Sequence, residues 1–158
     1  MDDALIDRIL IREQVERWVI WRDSGCWEKF RTVWHDGARM NTTWYSGPVD
    51  DFIAHARRTF ERCAIAAHFL GGTAIELSDR RAIAQTKKRI ESRQLVEGVL
   101  CDLVCIGRFY QFFEKRFAYV QTRAGMPVKR DLPGQRGAAV ERLYAAGAAF
   151  LEGAPAVF

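Results

Sequence analysis

Residues 66 to 77, Ala66-Ala67-His68-Phe69-Leu70-Gly71-Gly72-Thr73-Ala74-Ile75-Glu76-Leu77, open a long run of strand-forming sequence, and the fold turns on how that run is read. Turn residues at Ser78-Asp79 separate it from a second strand over 80–94. A break near Glu97-Gly98 precedes a third over 99–114, and a fourth spans 117–123. Four such segments with short breaks predict an antiparallel meander. Gly71-Gly72, Gly98 and Gly107 are where a strongly curved sheet would bend.

The sequence before the meander is helical. Leu5, Ile6, Ile9, Leu10, Val15, Trp18 and Val19 recur at helical spacing, which predicts an amphipathic helix over 3–21. Asp23-Ser24-Gly25 interrupts it. Trp27, Phe30 and Trp34 then mark a second helix of about nine residues. Residues 38–45 have strand character, with Met40, Thr42 and Trp44 on one face and Tyr45 on the other, and end at Ser46-Gly47-Pro48. Helical spacing returns over 49–63, a loop is expected over 124–136, and an Ala-rich helix over 138–152. Helices followed by a run of strands predict an α+β fold, its helices packed on one face of a curved, mostly antiparallel sheet. A chain of 158 residues is the size of one domain. We assign 1–135 to the α+β body and 136–158 to a helical tail, a lid or an oligomer contact, rather than a second domain.

Composition narrows the function classes. Hydrophobic residues at 49% and charged residues at 28% are ordinary for a globular protein. The net charge of +4 is concentrated in Lys87-Lys88-Arg89 and Lys129-Arg130, with no nucleic-acid-binding module around them, so no nucleic-acid partner is expected. No leader-like stretch or run of membrane-spanning length is read, so no membrane partner is expected. Cys26, Cys63, Cys101 and Cys105 read as free thiols in a reducing, cytoplasmic compartment. Three separated histidines and no carboxylate–histidine ligand cluster argue against a metal site, and no cofactor is expected.

Two residues stand out chemically. Asp23 lies at the helix break and His68 near the head of the first long strand. A carboxylate beside an imidazole fixes its tautomer and supports its charged form, which equips histidine to move protons near neutral pH. An Asp at a helix end is also a common cap, and a His among apolar neighbours is commonly a core residue. His35 and His55 read as structural or exposed.

The pieces Ile11-Arg12-Glu13, Trp21-Arg22-Asp23, His68-Phe69-Leu70-Gly71-Gly72 and Phe112-Phe113-Glu114-Lys115-Arg116, in this order and spacing, resemble the SnoaL-like group of the nuclear transport factor two-like superfamily. Its members include scytalone dehydratase, hexachlorocyclohexane dehydrochlorinase, polyketide cyclases and steroid isomerase. The resemblance implies a cone-shaped α+β barrel with a deep apolar pocket. It implies a catalytic dyad of Asp23 and His68 and matches Arg123 to an arginine on the last strand of dehydrochlorinase-like enzymes. Trp18 stands where the dehydrochlorinase has a basic residue, and the third strand lacks the second pocket histidine of scytalone dehydratase.

Trp21, Met40, Thr42, Trp44, Tyr45, Tyr110 and Phe112 are the candidate pocket residues, with core packing as the alternative for each. The expected function is that of a cofactor-independent lyase or isomerase acting on a small apolar, cyclic or aromatic substrate. The alternative is a noncatalytic small-molecule binder or accessory subunit. Long strands with an apolar outer face further predict a homo-oligomer, dimer or trimer.

Overall fold

A computed structural model describes residues 2–62, 65–115, 119–125 and 138–155. Cys63, the Lys129-Arg130 pair and most of the loop expected over 124–136 lie outside these residues. Helices α1 (Asp3–Asp23) and α2 (Trp27–Thr32) precede strands β1 (Trp34–Asn41) and β2 (Ser46–Pro48) and helix α3 (Val49–Glu61). The meander follows as β3 (Ile65–Ser78), β4 (Arg81–Val96), β5 (Val99–Lys115) and β6 (Tyr119–Gly125), and α4 (Ala138–Leu151) closes the order. One six-stranded sheet runs β2-β1-β6-β5-β4-β3. The β1–β6 pair is parallel and the other neighbours antiparallel. This is the expected α+β arrangement.

α1 begins where the Asp2 side chain accepts the Ala4 N–H at 3.0 Å, removing one of the donors a helix start leaves unpaired. It ends where Ser24 Oγ donates to the Ile20 carbonyl at 2.7 Å and Gly25 takes φ +69°, a left-handed conformation that suits glycine. Its buried residues Asp7, Ile11, Val15, Trp18 and Val19 form one stripe at three- and four-residue spacing. That stripe lies on the inner face of the sheet, where Ile11 and Val15 pack with Ala82, Ala84 and Phe113. The intervening residues Ile83, Tyr110 and Phe112 point to the outer face and pack with Phe150 of α4.

β3 keeps its inner face toward α1 along its whole length because of a bulge. Leu70 pairs with Lys88 but Thr73 with Thr86, so three steps on β3 oppose two on β4. Leu70 packs against the inner core, and Thr73 Oγ1 is bonded by Arg12 of α1, although a regular strand would put residues three apart on opposite faces. Gly71-Gly72 supplies the bulge. A Cβ on Gly71 would stand 3.1 Å from Lys87 Cβ, whereas one on Gly72 would meet open space.

Two boundaries differ from the sequence reading. α2 stops at Thr32, and Trp34 is buried as the first residue of β1, whose alternation also buries Ala38 and Met40. An aromatic that fits a helical spacing thus fits a strand as well. β1 in turn stops at Asn41, because Thr42 Oγ1 accepts the Tyr45 N–H at 2.9 Å and the Trp44 N–H at 3.3 Å. This local side-chain turn outcompetes the ladder, and Ser46-Gly47-Pro48, read as a stop, forms edge strand β2.

Candidate functional site

Asp23 is the last residue of α1, four positions after buried Val19, and so continues the helix's buried stripe toward the sheet. Across from it lies β3, an edge strand with backbone donors outside the ladder. Asp23 Oδ2 accepts the His68 backbone N–H at 2.6 Å, and Oδ1 lies 2.7 Å from His68 Nδ1. A carboxylate accepts hydrogen bonds only, so Nδ1 carries the proton and Nε2 is left as the unprotonated acceptor of the neutral ring. The ring is clamped between Trp18, edge-on at 5.5 Å between centroids, and Phe109, stacked at 6.3 Å.

Only 6% of the His68 side chain is exposed. Burial pushes the imidazole below its ordinary value, opposed by the hydrogen bond and charge of Asp23 and reinforced by the Arg22 and Lys88 cations. The neutral imidazole, the form that takes up a proton, is thereby favoured. Burial likewise lowers the Arg22 guanidinium, with Asp23 pulling the other way.

His68 lines a cavity of about 390 Å³, a size suited to a small organic molecule. Phe52 and Ala56 of α3, Phe109 of β5 and Ile90 of β4 form its apolar walls, while Thr59, Ser92 and Gln94 supply neutral polar groups. Of the candidate pocket residues, Met40, Thr42 and Trp44 line this cavity. Thr42 and Trp44 do so from the turn after β1.

The other candidates lie elsewhere. Trp21 packs at the edge of the core beneath the Arg17 guanidinium. Tyr45 packs on Phe52 and Trp44 and donates its hydroxyl to the Pro48 carbonyl at 2.6 Å. Tyr110 and Phe112 face α4 on the outer side, because the β5 pleat gives the inner face to Phe109 and Phe113. The backbone of Arg123 lies in β6 opposite Arg39 and Phe112, and its side chain is outside the described residues.

Most of the other lining residues were not among the sequence candidates, and two of them, His55 and Arg22, carry ionisable groups. His55 is exposed, as read, and also lines the cavity, its ring 4.8 Å from that of Trp44. Arg22 lines the cavity beside Asp23. Its signal was present in the sequence: a charged residue four after Trp18, where the α1 stripe calls for an apolar one.

The chain belongs to the SnoaL-like domain family, whose model matches residues 3–111. A PEP2-like protein and pea pathogenicity protein 2, both of Fusarium vanettenii, are each 36% identical to it over 118 residues, covering 72% of this chain and 50% of the relative. The chain thus spans about half the length of these curated relatives. Among solved structures, an NTF2-like protein with a cystatin-like fold from Novosphingobium aromaticivorans superposes with a TM-score of 0.65 at 21% identity, covering 89% of this chain and 90% of the other. A protein provisionally assigned as a scytalone dehydratase, from the same organism, gives a TM-score of 0.70 at 11% identity over 87% and 94% of the two chains. The fold is therefore the nuclear transport factor two-like cone, as the sequence resemblance implied.

Proposed function

We propose that this SnoaL-like chain is a cofactor-independent lyase or isomerase whose base is His68, held by Asp23. The observation that carries the reading is the 2.7 Å contact between Asp23 Oδ1 and His68 Nδ1 at the wall of a largely apolar cavity. In the lyase form, Nε2 takes a proton from a carbon next to a carbonyl, the C–H electron pair forms a C=C bond, and the C–O bond to a neighbouring hydroxyl breaks. The imidazolium returns its proton to the departing oxygen, which leaves as water. In the isomerase form the same proton is returned to a different carbon. Either cycle ends with the base regenerated and needs no co-reactant. Asp23 keeps the tautomer and stabilises the transient imidazolium.

The provisional assignment of a fold neighbour as a scytalone dehydratase agrees with dehydration chemistry. The test is turnover of cyclic β-hydroxy carbonyl compounds by wild type and His68→Ala. Loss of about 10²- to 10⁴-fold in kcat is expected, with the far-UV circular dichroism retained. A variant that turns over substrate like wild type removes His68 as the base.

A second reading, a noncatalytic binding or accessory subunit, draws support from one feature. On the outer face, Phe69, Leu95, Leu100, Val104 and Ile106 are exposed where α4 does not reach. We place a homo-oligomer contact there, where these side chains alternate across the strands with Arg89, Glu91, Arg93 and Asp102, the mixed apolar and polar character of a non-obligate interface. If no proton-transfer substrate is found and the protein copurifies with a larger chain, this reading replaces the first.

A further inference from the structure

Arg22 is a cation with little to hold. Its side chain is only 15% exposed, and among the described residues its one ion-pair contact is Asp23 Oδ1, at the long distance of 3.4 Å. That oxygen already serves His68 Nδ1 at 2.7 Å, and Asp23 Oδ2 already accepts the His68 N–H at 2.6 Å. A guanidinium carries five N–H donors in a planar fork, and a desolvated charge without full pairing is costly. Arg22 also lines the cavity, and among the described residues no carboxylate does. The rest of the described polar lining is neutral hydroxyl, amide and imidazole. Among the described lining residues Arg22 is therefore the one cation in an apolar, aromatic enclosure, with Lys88 outside that lining over the Phe109 ring at 5.2 Å, and Arg22 occupies a stripe position on α1 where packing alone would favour a hydrophobe.

We infer that the ligand of this cavity is a monoanion, a planar oxyanion (a carboxylate or an ionised enol or phenol) borne on an apolar ring, and that Arg22 is the residue that binds it. This deepens the proposed function by replacing a purely apolar substrate with an acidic one, and it rests on this cavity being the substrate site. A cavity of about 390 Å³ accommodates one or two rings with such a group. Because the charge is present before any ligand arrives, the contact acts in the ground state. It selects among ligands and fixes the ring with its acidic oxygen at Arg22 and a neighbouring carbon within reach of His68 Nε2. A phosphate fits less well, since a single guanidinium among the neutral groups of the described lining does not match its second charge.

The test is calorimetric binding at pH 8, above the ordinary imidazole range, so that histidine charge does not contribute. Benzoate is compared with benzamide, and 4-nitrophenolate with nitrobenzene, so the two pairs distinguish a carboxylate ligand from a phenolate one. Wild type is expected to prefer the anion of at least one pair by about tenfold or more, the range of one charge-assisted hydrogen bond. Arg22→Met should bring that ratio close to one, and Arg22→Lys should keep part of it. Equal binding of both pairs by wild type overturns the proposal without any variant, as does an anion preference that survives Arg22→Met. The readout needs no turnover. A protein that prefers anions but shows no His68-dependent reaction would sink the proton-transfer reading and leave this one standing, and loss of the preference with His68-dependent turnover intact would do the reverse.

Discussion

The two ends of the β4–β5 hairpin are built from the same continuous strands and treated in opposite ways. Toward Arg81 and Glu114 the hairpin is packed on both faces, by Ile11 and Val15 of α1 inside and by Phe150 of α4 outside. Toward Val96 and Val99 the inner face borders the cavity through Ile90, Ser92 and Gln94, while Val104 and Ile106 are exposed on the outer face. Cohesion is concentrated at the first end, where each strand buries both rows of side chains. The second end has room for a ligand because its inner row is not filled by core side chains. Close packing elsewhere makes that vacancy tolerable, since cavities forfeit contacts that must be made up in the rest of the fold.

The largest way to break this contrast is to remove the bulge that phases the two ends of β3. Deleting Gly72 would put either the Ala66, His68 and Leu70 set or the Thr73, Ile75 and Leu77 set on the wrong face. Loss of soluble folded protein is expected, read by circular dichroism and yield. Gly72→Ala, which meets open space, should fold normally.

Next in size is the doubly packed end itself. Phe112 is fully buried and meets Phe150 edge-on at 5.1 Å. Phe112→Ala should cost about 3–5 kcal/mol in urea unfolding, whereas Val104→Ala on the uncovered part of the same face should stay within about 0.5 kcal/mol. Equal effects would erase the distinction between the ends.

The cavity end should reveal itself through pH. The His68 imidazole lies below its ordinary value of 6.5, mainly through burial, so the acid limb of kcat/KM is expected below pH 6.5. The unfolded chain takes up its histidine proton first on acidification. Between the folded and unfolded values it therefore binds more protons, and this contribution to stability is complete above 6.5 and declines as pH falls below it. Asp23→Asn removes the carboxylate charge that raises the imidazole and leaves only a neutral acceptor at Nδ1, so the acid limb should move to still lower pH. An NMR titration of His68 at or above 6.5 contradicts this account.

The smallest effect concerns the outer face. Ile106→Lys should leave the unfolding midpoint of a dilute sample nearly unchanged while lowering the oligomeric state in analytical ultracentrifugation, if a second copy covers this face. A wild-type protein that sediments as a monomer at high concentration removes that contact.

Much of this fold was legible before any coordinates. The α1 stripe, the glycine breaks and the strand-rich run from residue 66 onward specify helices followed by a meander, because side-chain periods of 3.6 and 2 are written directly in the order of residues. Asp23 and His68 were nominated by chemistry and order, 45 residues apart. Less legible was where an element ends. Trp34 satisfies a helical and a strand spacing at once, and Thr42 leaves β1 because of a hydroxyl that bonds backbone two and three residues on.

Sequence by itself determined the order and type of the elements apart from the short edge strand β2, and the residues able to do proton chemistry, since both depend on local pattern and intrinsic side-chain properties. Only the tertiary structure decided which face each strand presents. It set Phe109 against His68 and sent Tyr110 and Phe112 to α4, and it brought His55 to the rim and Arg22 into the cavity wall. The reason is physical. A pleat has no absolute phase until a neighbouring element covers one side, and a charged residue on a helix discloses its surroundings only when the sheet has closed over it.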